Sequence, residues 1–532
     1  MNKKLLSLAV AAAVAAPTAA MAEAVLYGKM HVSIDYQDVT NAIGPTFDEV
    51  EYFNVTGIGP GTETTTATNI YASQAAAAAN AGPGTPGFVA QAGDVPAWVN
   101  STGGTVYVPL ADGTVAEVQD GTLIEGVTSS TTSTIVPGPD GEMVTLIRTD
   151  AAGNPIVNND GEDFKGWGVA GENGYIQGSG RANRIGVKGS EDLGNGLKAI
   201  YQVELGLNLG DDNIPGGSNG IGYRNTFAGI AGDFGTFLVG RHDTPLKISS
   251  GKLDLFSDTM ADYNGTVGFD DLRVDNAIAY ISPSFSGFSF AGALVAPGGG
   301  TAGFGENINS DQLNGAYSLA IIYNNGPFYG SAAYESLSNE MFMDSDTSLG
   351  GKEQCIAADG TETLSCGYVD NDYSKYRFGL GLLDWNGFTL TAIYEQQDDL
   401  PDGQTTNAVG FVDPDGNVSF SSIAGGAEEQ QLWQVQAGYS FGNNMVKAMY
   451  GAVDRDRDDT RLFGGTRDTL SINNIQDDLS GDREAWAIAF DHNFSKRTKA
   501  YALYVDVTDD SSGLPGGNPE WSGFSLGLIH KF

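Results

Sequence analysis

Basic residues are scarce in this sequence. Among 532 residues there are 27 Lys or Arg against 66 Asp or Glu, which gives a formal net charge of −39. A surface this acidic repels phosphate groups, so the composition excludes nucleic-acid binding. Long apolar runs are also missing after the first two dozen positions. A transmembrane helix needs about 20 consecutive apolar residues, so a helical membrane protein is excluded as well.

Charged residues of both signs are few, whereas turn-forming residues are many. Only 17% of the residues are charged, there are 74 glycines, and the 22 Tyr and 25 Phe together outnumber the 27 basic residues. A soluble chain of this length normally divides into several domains of ordinary composition with charge-rich helices. The balance in this chain is typical of a β-rich protein with many turns.

Residues that carry catalysis or hold metals are also few. No histidine stands near a Gly-x-Ser-x-Gly elbow or in a metal-binding spacing, and each lies on or at the end of a predicted strand: His31, His242, His492 and His530. The sequence therefore predicts no enzyme, no metal site and no cofactor.

The two cysteines lie close together in a polar segment. Cys355 and Cys366 flank an Asp-Gly pair that is a natural hairpin turn. In an oxidising compartment, two cysteines that close one small hairpin are expected to form a disulfide. Zinc would need more ligands than these two thiols.

The amino terminus indicates export from the cytoplasm. Residues 1–22 combine a short basic start, an apolar stretch from Leu5 to Ala16 and a small-residue end at Ala20-Met21-Ala22. This pattern predicts a secretory signal peptide that is removed after Ala22.

From position 181 onward, apolar and polar residues alternate along the chain. The segment 197–208 has one wholly apolar face and one largely polar face, and the pattern recurs in later segments. Most of these runs have about 10 to 13 residues, whereas strands of soluble proteins usually have about 5 or 6. Strands of this length fit a tilted crossing of a bilayer.

Tight turns and long polar loops alternate strictly between these strands. The seven tight turns are Asn195-Gly196, Asp233-Phe234-Gly235, Ser286-Gly287, Asn325-Gly326, Asn386-Gly387, Asn443-Asn444 and Lys496-Arg497. Short turns on one side and long loops on the other are typical of outer-membrane barrels. Seven hairpins plus a first and a last strand predict a 16-stranded antiparallel transmembrane β-barrel with a water-filled lumen.

Four stretches and the last residue allow comparison with a known family: VLYGKM (25–30), NRIGVKGSEDLGNGLKAIYQVE (183–204), YRNTFAGIAGDFGTFLVGRHDTPLK (223–247), RVDNAIAYISPSFSGFSF (273–290) and Phe532. They closely resemble the general bacterial porins of Gram-negative outer membranes. The resemblance implies a homotrimer in contact with outer-membrane lipid and lipopolysaccharide, which passes ions and small hydrophilic solutes. It also implies that Phe532 serves as an assembly signal.

The resemblance further implies a charged constriction. Basic residues on the barrel wall match Lys29, Arg184 and Arg224, with Arg241 as a fourth candidate. The third loop, at 243–272, is expected to fold inward and to place acidic groups opposite them. Asp254 and Asp258 match the family positions, and Asp262, Asp270 and Asp271 are further candidates; a solvated surface loop is the alternative. Counting these charges predicts weak cation selectivity.

A long acidic segment separates the first strand from the rest of the barrel. We divide the chain into a signal peptide at 1–22, a first strand at 23–38, an extracellular insertion at 39–178 and the remaining 15 strands at 179–532. The insertion contains Asp-Gly and Pro-Asp-Gly turns between short strand-like runs, and a low-complexity flank. Three interpretations stay open: a small β cap over the mouth, a flexible surface segment, and an adhesive or receptor module. The last would make the chain a surface-binding protein displayed on a barrel.

Overall fold

A computed structural model of the chain describes the residues 23–43, 46–49, 53–55, 97–99, 106–109, 115–118, 123–124, 135–137, 143–159, 162–169, 181–207, 221–296, 313–338, 371–401, 406–414, 418–424, 427–456, 481–509 and 520–532. The predicted signal peptide and both cysteines, Cys355 and Cys366, lie outside these residues.

The described residues form 29 strands and two short helices. The first strand is β1 (Glu23–Ile43), and the strands within the insertion are β2 (Thr46–Phe47), β3 (Phe53–Val55), β4 (Ala97–Val99), β5 (Val106–Pro109), β6 (Val115–Val118), β7 (Leu123–Ile124), β8 (Ile135–Pro137), β9 (Met143–Arg148) and β10 (Val157–Asn159). The next strands are β11 (Glu162–Val169), β12 (Asn183–Gly194), β13 (Leu197–Leu207), β14 (Ile221–Tyr223), β15 (Thr226–Gly232) and β16 (Gly235–Asp243), followed by the helices α1 (Pro245–Ser250) and α2 (Tyr263–Thr266). The chain continues with β17 (Arg273–Ile281), β18 (Phe288–Val295), β19 (Ala316–Asn325), β20 (Phe328–Leu337), β21 (Tyr373–Trp385), β22 (Phe388–Asp398), β23 (Thr406–Val412) and β24 (Val418–Ala424). The last five strands are β25 (Glu429–Phe441), β26 (Asn444–Asp456), β27 (Gly481–Asn493), β28 (Thr498–Asp509) and β29 (Trp521–Lys531). No helix in the described ranges combines the length and apolar character that crossing a membrane requires.

The long strands close into a single antiparallel barrel. Each pairs with its neighbour in chain order, and β29 returns to β1 with a register from Lys29–Lys531 to Val39–Trp521. Two wall positions are shared between two segments. β11 pairs with the later half of β1 and β12 with its earlier half, while β14 and β15 both pair with β13. The wall therefore has 16 strand positions, as predicted.

The predicted faces agree with side-chain exposure, and the tight turns lie at or within one residue of the predicted positions, with Gly326-Pro327 and Gly442-Asn443 in place of Asn325-Gly326 and Asn443-Asn444. Asn386 and Gly387 both have positive φ, 52° and 87°, which is the combination that a type I′ hairpin turn needs. On β1 the apolar side chains of Val32 and Ile34 are exposed on the outer face. Polar inner-face residues alternate with them, which gives the wall an apolar exterior and a polar interior.

The first strand is longer than the sequence predicts. β1 continues beyond residue 38 to Ile43, because β11 supplies a hydrogen-bonding partner through Val39 and Ile43. The prediction that residues 162–169 belong to the insertion is wrong, because they pair with β1 and form part of the wall. Val39 is fully buried, so the inner face of the barrel continues past the predicted boundary.

Part of the insertion pairs with a distant loop. β9 of the insertion lies parallel to β23, which belongs to the connection between β22 and β25. Together with β8 and β24 they form a four-stranded sheet of order β24-β23-β9-β8. The Thr149 N–H donates to the Val412 carbonyl at 2.9 Å. Leu146 on β9 and Phe411 and Val412 on β23 are buried.

Candidate channel constriction

Residues 244–272, named loop 3, leave the wall after β16 and run inside the barrel. Thr244 turns the chain inward, because its side chain accepts a hydrogen bond from the Lys247 N–H and caps α1. Leu246 on α1 is fully buried against Ala320 and Ala333 on the inner face of the wall. The loop is therefore seated on the wall from its first turn.

The middle of loop 3 packs on the wall at positions that are occupied by glycine. A Cβ on Gly379 would lie 2.4 Å from the Leu253 side chain, and a Cβ on Gly523 would lie 2.3 Å from the Met260 sulfur. Leu253 and Met260 are almost completely buried. Lys447 Nζ also donates to a loop carbonyl, that of Leu255, at 2.6 Å. Loop 3 thus lies against strands from the second half of the chain.

An ion pair joins loop 3 to the first strand. Lys29 Nζ lies 2.5 Å from Asp258 Oδ2, and the exposed fractions of the two side chains are 6% and 27%. Asp258 adopts a left-handed backbone conformation with φ of 61°, which Asp tolerates better than most residues. Its N–H donates to Asp262 Oδ2 at 2.6 Å, which holds the turn. The structure therefore brings together Lys29 and Asp258 of the predicted constriction.

A second group of charges lines the neighbouring wall. Arg224 Nε donates to Glu204 Oε1 at 2.8 Å, and Arg184 Nε lies 3.8 Å from the other oxygen of the same carboxylate. Tyr27 OH donates to Glu204 as well, at 2.8 Å. Arg184 pairs in register with Lys29, so both side chains project from the same face of the sheet. Arg184 and Arg224 keep 27% and 21% of their side chains exposed.

Asp254 does not face the open lumen. The family resemblance predicts it in the constriction, but the structure buries it against the wall. Asp254 Oδ1 accepts hydrogen bonds from Gln436 Nε2 and from the Phe256 N–H, both at 2.9 Å. Burial raises the pKa of this carboxyl to about 6, although the hydrogen bond from Gln436 opposes the change. Asp254 therefore seats the loop rather than lining its free edge.

Asp262 also has a local role. Its side chain caps α2 by accepting a hydrogen bond from the Asn264 N–H at 3.0 Å. Its other oxygen accepts from the N–H of Asp258. Burial, and next the charges of Asp254 and Asp258, raise the pKa of Asp262 above its usual range. Asp262 holds the turn that presents Asp258.

Arg241 lies apart from these groups. It has the same strand parity on β16 as Phe237 and Val239, whose side chains are exposed on the outer face of the barrel. It pairs with Asp275 at 2.8 Å and donates to the carbonyl of Tyr223. The structure does not bring Arg241 together with Lys29 and Asp258, because its strand parity directs it to the other face.

Charged residues of the lumen that the sequence patterns did not single out include Glu204, Lys375 and Arg377. Glu204 links both wall arginines. Lys375 pairs with Asp270 at 3.0 Å, and Arg377 pairs with Asp271 at 2.6 Å, so both candidate acids at the end of loop 3 are tied to the wall. The alternation of Lys375 and Arg377 with outward Phe378 is the signal that could have identified them.

Comparisons with known proteins found a family profile, curated relatives and similar solved structures. A family profile described as "Gram-negative porin" matches residues 157–512. The major outer membrane protein P.IB of Neisseria gonorrhoeae is 25% identical over 323 residues, which cover 60% of this chain and 75% of that protein. The P.IB protein of Neisseria sicca is 26% identical over 357 residues, covering 66% of this chain and 84% of its own. Among solved structures, the anion-selective porin from Comamonas acidovorans has a TM-score of 0.44 and 20% identity, covering 70% of this chain and 93% of its own.

Proposed function

Because the chain belongs to the Gram-negative porin family, we propose that it is a diffusion channel for ions and small hydrophilic solutes. The protein is an outer-membrane porin of a Gram-negative bacterium. The observation that carries the proposal is the Lys29–Asp258 ion pair, with Glu204, Arg184 and Arg224 beside it, inside a closed 16-stranded wall. A barrel of about 16 strands leaves a water-filled lumen, whereas one of about eight is filled by side chains.

The proposed mechanism needs no chemical step. Lys29, Arg184 and Arg224 line the wall, and Asp258 reaches Lys29 from loop 3. Opposed charges across a narrow lumen orient water and dipolar solutes, and apolar molecules are rejected because they cannot replace this hydration. Transport by diffusion, rather than catalysis, is the activity that such an arrangement supports.

Ion selectivity is proposed to be weak and to depend on salt. The charged cluster has three bases, Lys29, Arg184 and Arg224, against two acids, Glu204 and Asp258. The chain as a whole carries −39. At low salt the acidic chain attracts cations to the mouth, and we propose weak cation selectivity there. At about 1 M salt the Debye length is roughly 3 Å, so the slightly basic cluster shifts the preference toward anions.

A planar-bilayer recording of the purified protein tests the channel proposal. We expect stable conductance steps, and a reversal potential of cation-selective sign in a gradient at low salt that declines as salt is raised. Liposome swelling with sugars of increasing size measures the size limit for neutral solutes. The absence of stable steps, or anion-selective sign at low salt, contradicts the respective part of the proposal.

We also propose that residues 44–161, the part of the insertion outside the wall, form a cap at the mouth rather than a display module for adhesion. The support is the pairing of β9 with β23, which ties the insertion to the loop between β22 and β25. A module displayed for a partner has no need of this second attachment to the barrel.

Deleting residues 44–161 distinguishes the cap hypothesis from the display-module hypothesis. Ile43 and Glu162 are register partners, so a short Gly-rich turn can join them without disturbing the wall. A cap predicts faster flux of the largest permeant sugars after deletion. Unchanged flux with loss of cell-surface binding supports the adhesive alternative instead.

The assembly is proposed to be a homotrimer with lipopolysaccharide around its outer rim. Support comes from the family resemblance and from the continuous apolar exterior of the wall, including Val32, Ile34 and Leu380. Cross-linking of the protein in intact outer membranes, followed by mass analysis in mild detergent, tests for three copies.

A further inference from the structure

One buried arginine of the wall contacts both arms of loop 3. Arg377 on β21 is fully buried, and its Nη1 donates to Ser250 Oγ at 2.7 Å and to Asp271 Oδ1 at 2.6 Å. Ser250 ends α1 on the arm that enters the lumen, whereas Asp271 lies at the end of the arm that returns to the wall. The guanidinium carbon also lies over two rings of the returning arm, 5.8 Å from the centre of Tyr263 and 5.3 Å from that of Phe269.

The loop residues around Arg377 are also bonded to one another. Tyr263 OH donates to Asp271 Oδ2 at 2.5 Å and lies 3.3 Å from Ser250 Oγ. The rings of Tyr263 and Phe269 meet edge to face with centres 5.1 Å apart. The entering and returning arms of loop 3 therefore share one polar network whose centre is a wall residue.

A wall carboxylate fixes the arginine in place. Arg377 Nε donates to Glu395 Oε2 at 2.5 Å, and Glu395 on β22 is fully buried. A planar guanidinium can bind a carboxylate on each side and stack on rings at the same time, which an ammonium cannot do. The geometry points to arginine, rather than lysine, as a requirement at this position.

We propose that Arg377 is a positioning residue that clasps the two arms of loop 3 and so sets the width of the constriction. The other described contacts from the wall reach one arm each. Lys375 Nζ donates to both the backbone carbonyl and the carboxylate of Asp270, and Lys447 Nζ donates to the Leu255 carbonyl. Releasing Arg377 frees both arms, while releasing Lys375 loosens only the returning arm.

This inference rests on the proposed channel function for its electrical readout, so the experiment adds a readout that does not depend on conduction. A nitroxide is attached at Ser257→Cys in a Cys355→Ser, Cys366→Ser background, because Ser257 is exposed on loop 3 next to Asp258. Electron paramagnetic resonance then reports loop mobility in the assembled protein. Open-channel current noise is recorded on the same preparation.

Arg377→Gln is the test, and Lys375→Gln is the matched control on the same strand and with the same burial. Loss of one partner of a buried ion pair raises the equilibrium constant for local opening by on the order of 100-fold. We therefore expect a mobile nitroxide and noisy current in Arg377→Gln. We expect a smaller change in Lys375→Gln. Arg377→Lys is expected to behave like Arg377→Gln, because lysine keeps the positive charge but lacks the planar guanidinium that contacts both carboxylates.

Several outcomes decide the proposal. If Arg377→Gln does not assemble, the double variant Arg377→Gln, Glu395→Gln removes the wall carboxylate left unpaired, and it is expected to assemble with a mobile loop. An immobile nitroxide in either variant, an equal effect of Lys375→Gln, or full function of Arg377→Lys overturns the clasp. A wild-type protein without conductance contradicts the channel proposal but leaves the nitroxide result to judge the clasp.

Discussion

Lys29 and Asp258 are separated by 229 positions in the chain, yet their side chains form an ion pair with Nζ and Oδ2 2.5 Å apart. One belongs to the first strand of the wall and the other to the inner turn of loop 3. The pair closes the gap between the loop and the wall, and Asp258 keeps a quarter of its side chain exposed. Asp258 thereby offsets the positive charge of Lys29, as Glu204 does for Arg184 and Arg224.

Asp258→Ala is expected to weaken cation selectivity or to reverse it. The substitution leaves the Lys29 charge uncompensated beside Arg184. A unit charge about 4 Å from the ion path is worth about 1 kcal/mol in water, so we expect the cation-to-anion permeability ratio to fall roughly twofold to fivefold. Reversal potentials at low salt measure the ratio. A ratio equal to that of the wild type contradicts the assignment of Asp258 to the constriction.

Arg224→Ala is expected to strengthen cation selectivity by a similar factor. Arg184 and Arg224 share the single carboxylate of Glu204, so removing Arg224 leaves this group neutral. Arg241→Ala is the matched control, because Arg241 is similarly exposed but projects with Val239 from the outer face. Equal shifts in the two variants refute the placement of Arg224 in the ion path.

The seating of loop 3 is expected to depend on pH through Asp254. The pKa of this carboxyl is raised to about 6 from the usual value of 3.8, so the folded loop prefers the protonated form. The stabilisation is complete below about pH 4 and is lost as the pH rises through about 6, with a total of at most about 3 kcal/mol. A nitroxide at Ser257→Cys should therefore be less mobile at pH 4 than at pH 7. Asp254→Asn should reduce this difference, and the part that remains belongs to Asp262, whose pKa is also raised by burial. An unchanged difference in Asp254→Asn contradicts the prediction.

Phe532→Ala is expected to lower the amount of assembled barrel without changing conductance per channel. The backbone of Phe532 exchanges two hydrogen bonds of 3.1 Å with Gly28, and these bonds survive the substitution. Only the ring is lost, and 39% of its residue is exposed on the outer face. Phe494→Ala, an exposed aromatic in the turn after β27, is the control. Quantification in purified outer membranes measures assembly, and equal yields of the two variants count against Phe532 as an assembly signal.

The disulfide between Cys355 and Cys366 stays a prediction. Protein purified without reductant should show no titratable thiol after denaturation. Reduction should increase protease cleavage between 339 and 373 and leave the barrel intact, because a bridge of this span restrains one loop. Two free thiols in the oxidised preparation mean that the bridge does not form.

The number of strands and the faces of the wall were determined by the sequence alone. Strand periodicity and Asn-Gly turns are local properties, because side chains alternate with period two and positive φ angles depend on residue type. Lys29 and Arg184 could be placed on the inner face for this reason. Arg241 could have been excluded by the same parity.

The roles of the loop 3 carboxylates were decided only by the tertiary structure. Asp254, Asp258 and Asp262 lie within nine residues of each other and look equivalent in the sequence. Asp254 is buried beside Gln436 of a distant strand, whereas Asp258 pairs with Lys29 and stays partly exposed. An irregular loop has no period that predicts which side chain faces the lumen. Which loop carboxylate is buried and which is exposed depends on the wall residues that lie opposite it once the barrel has closed.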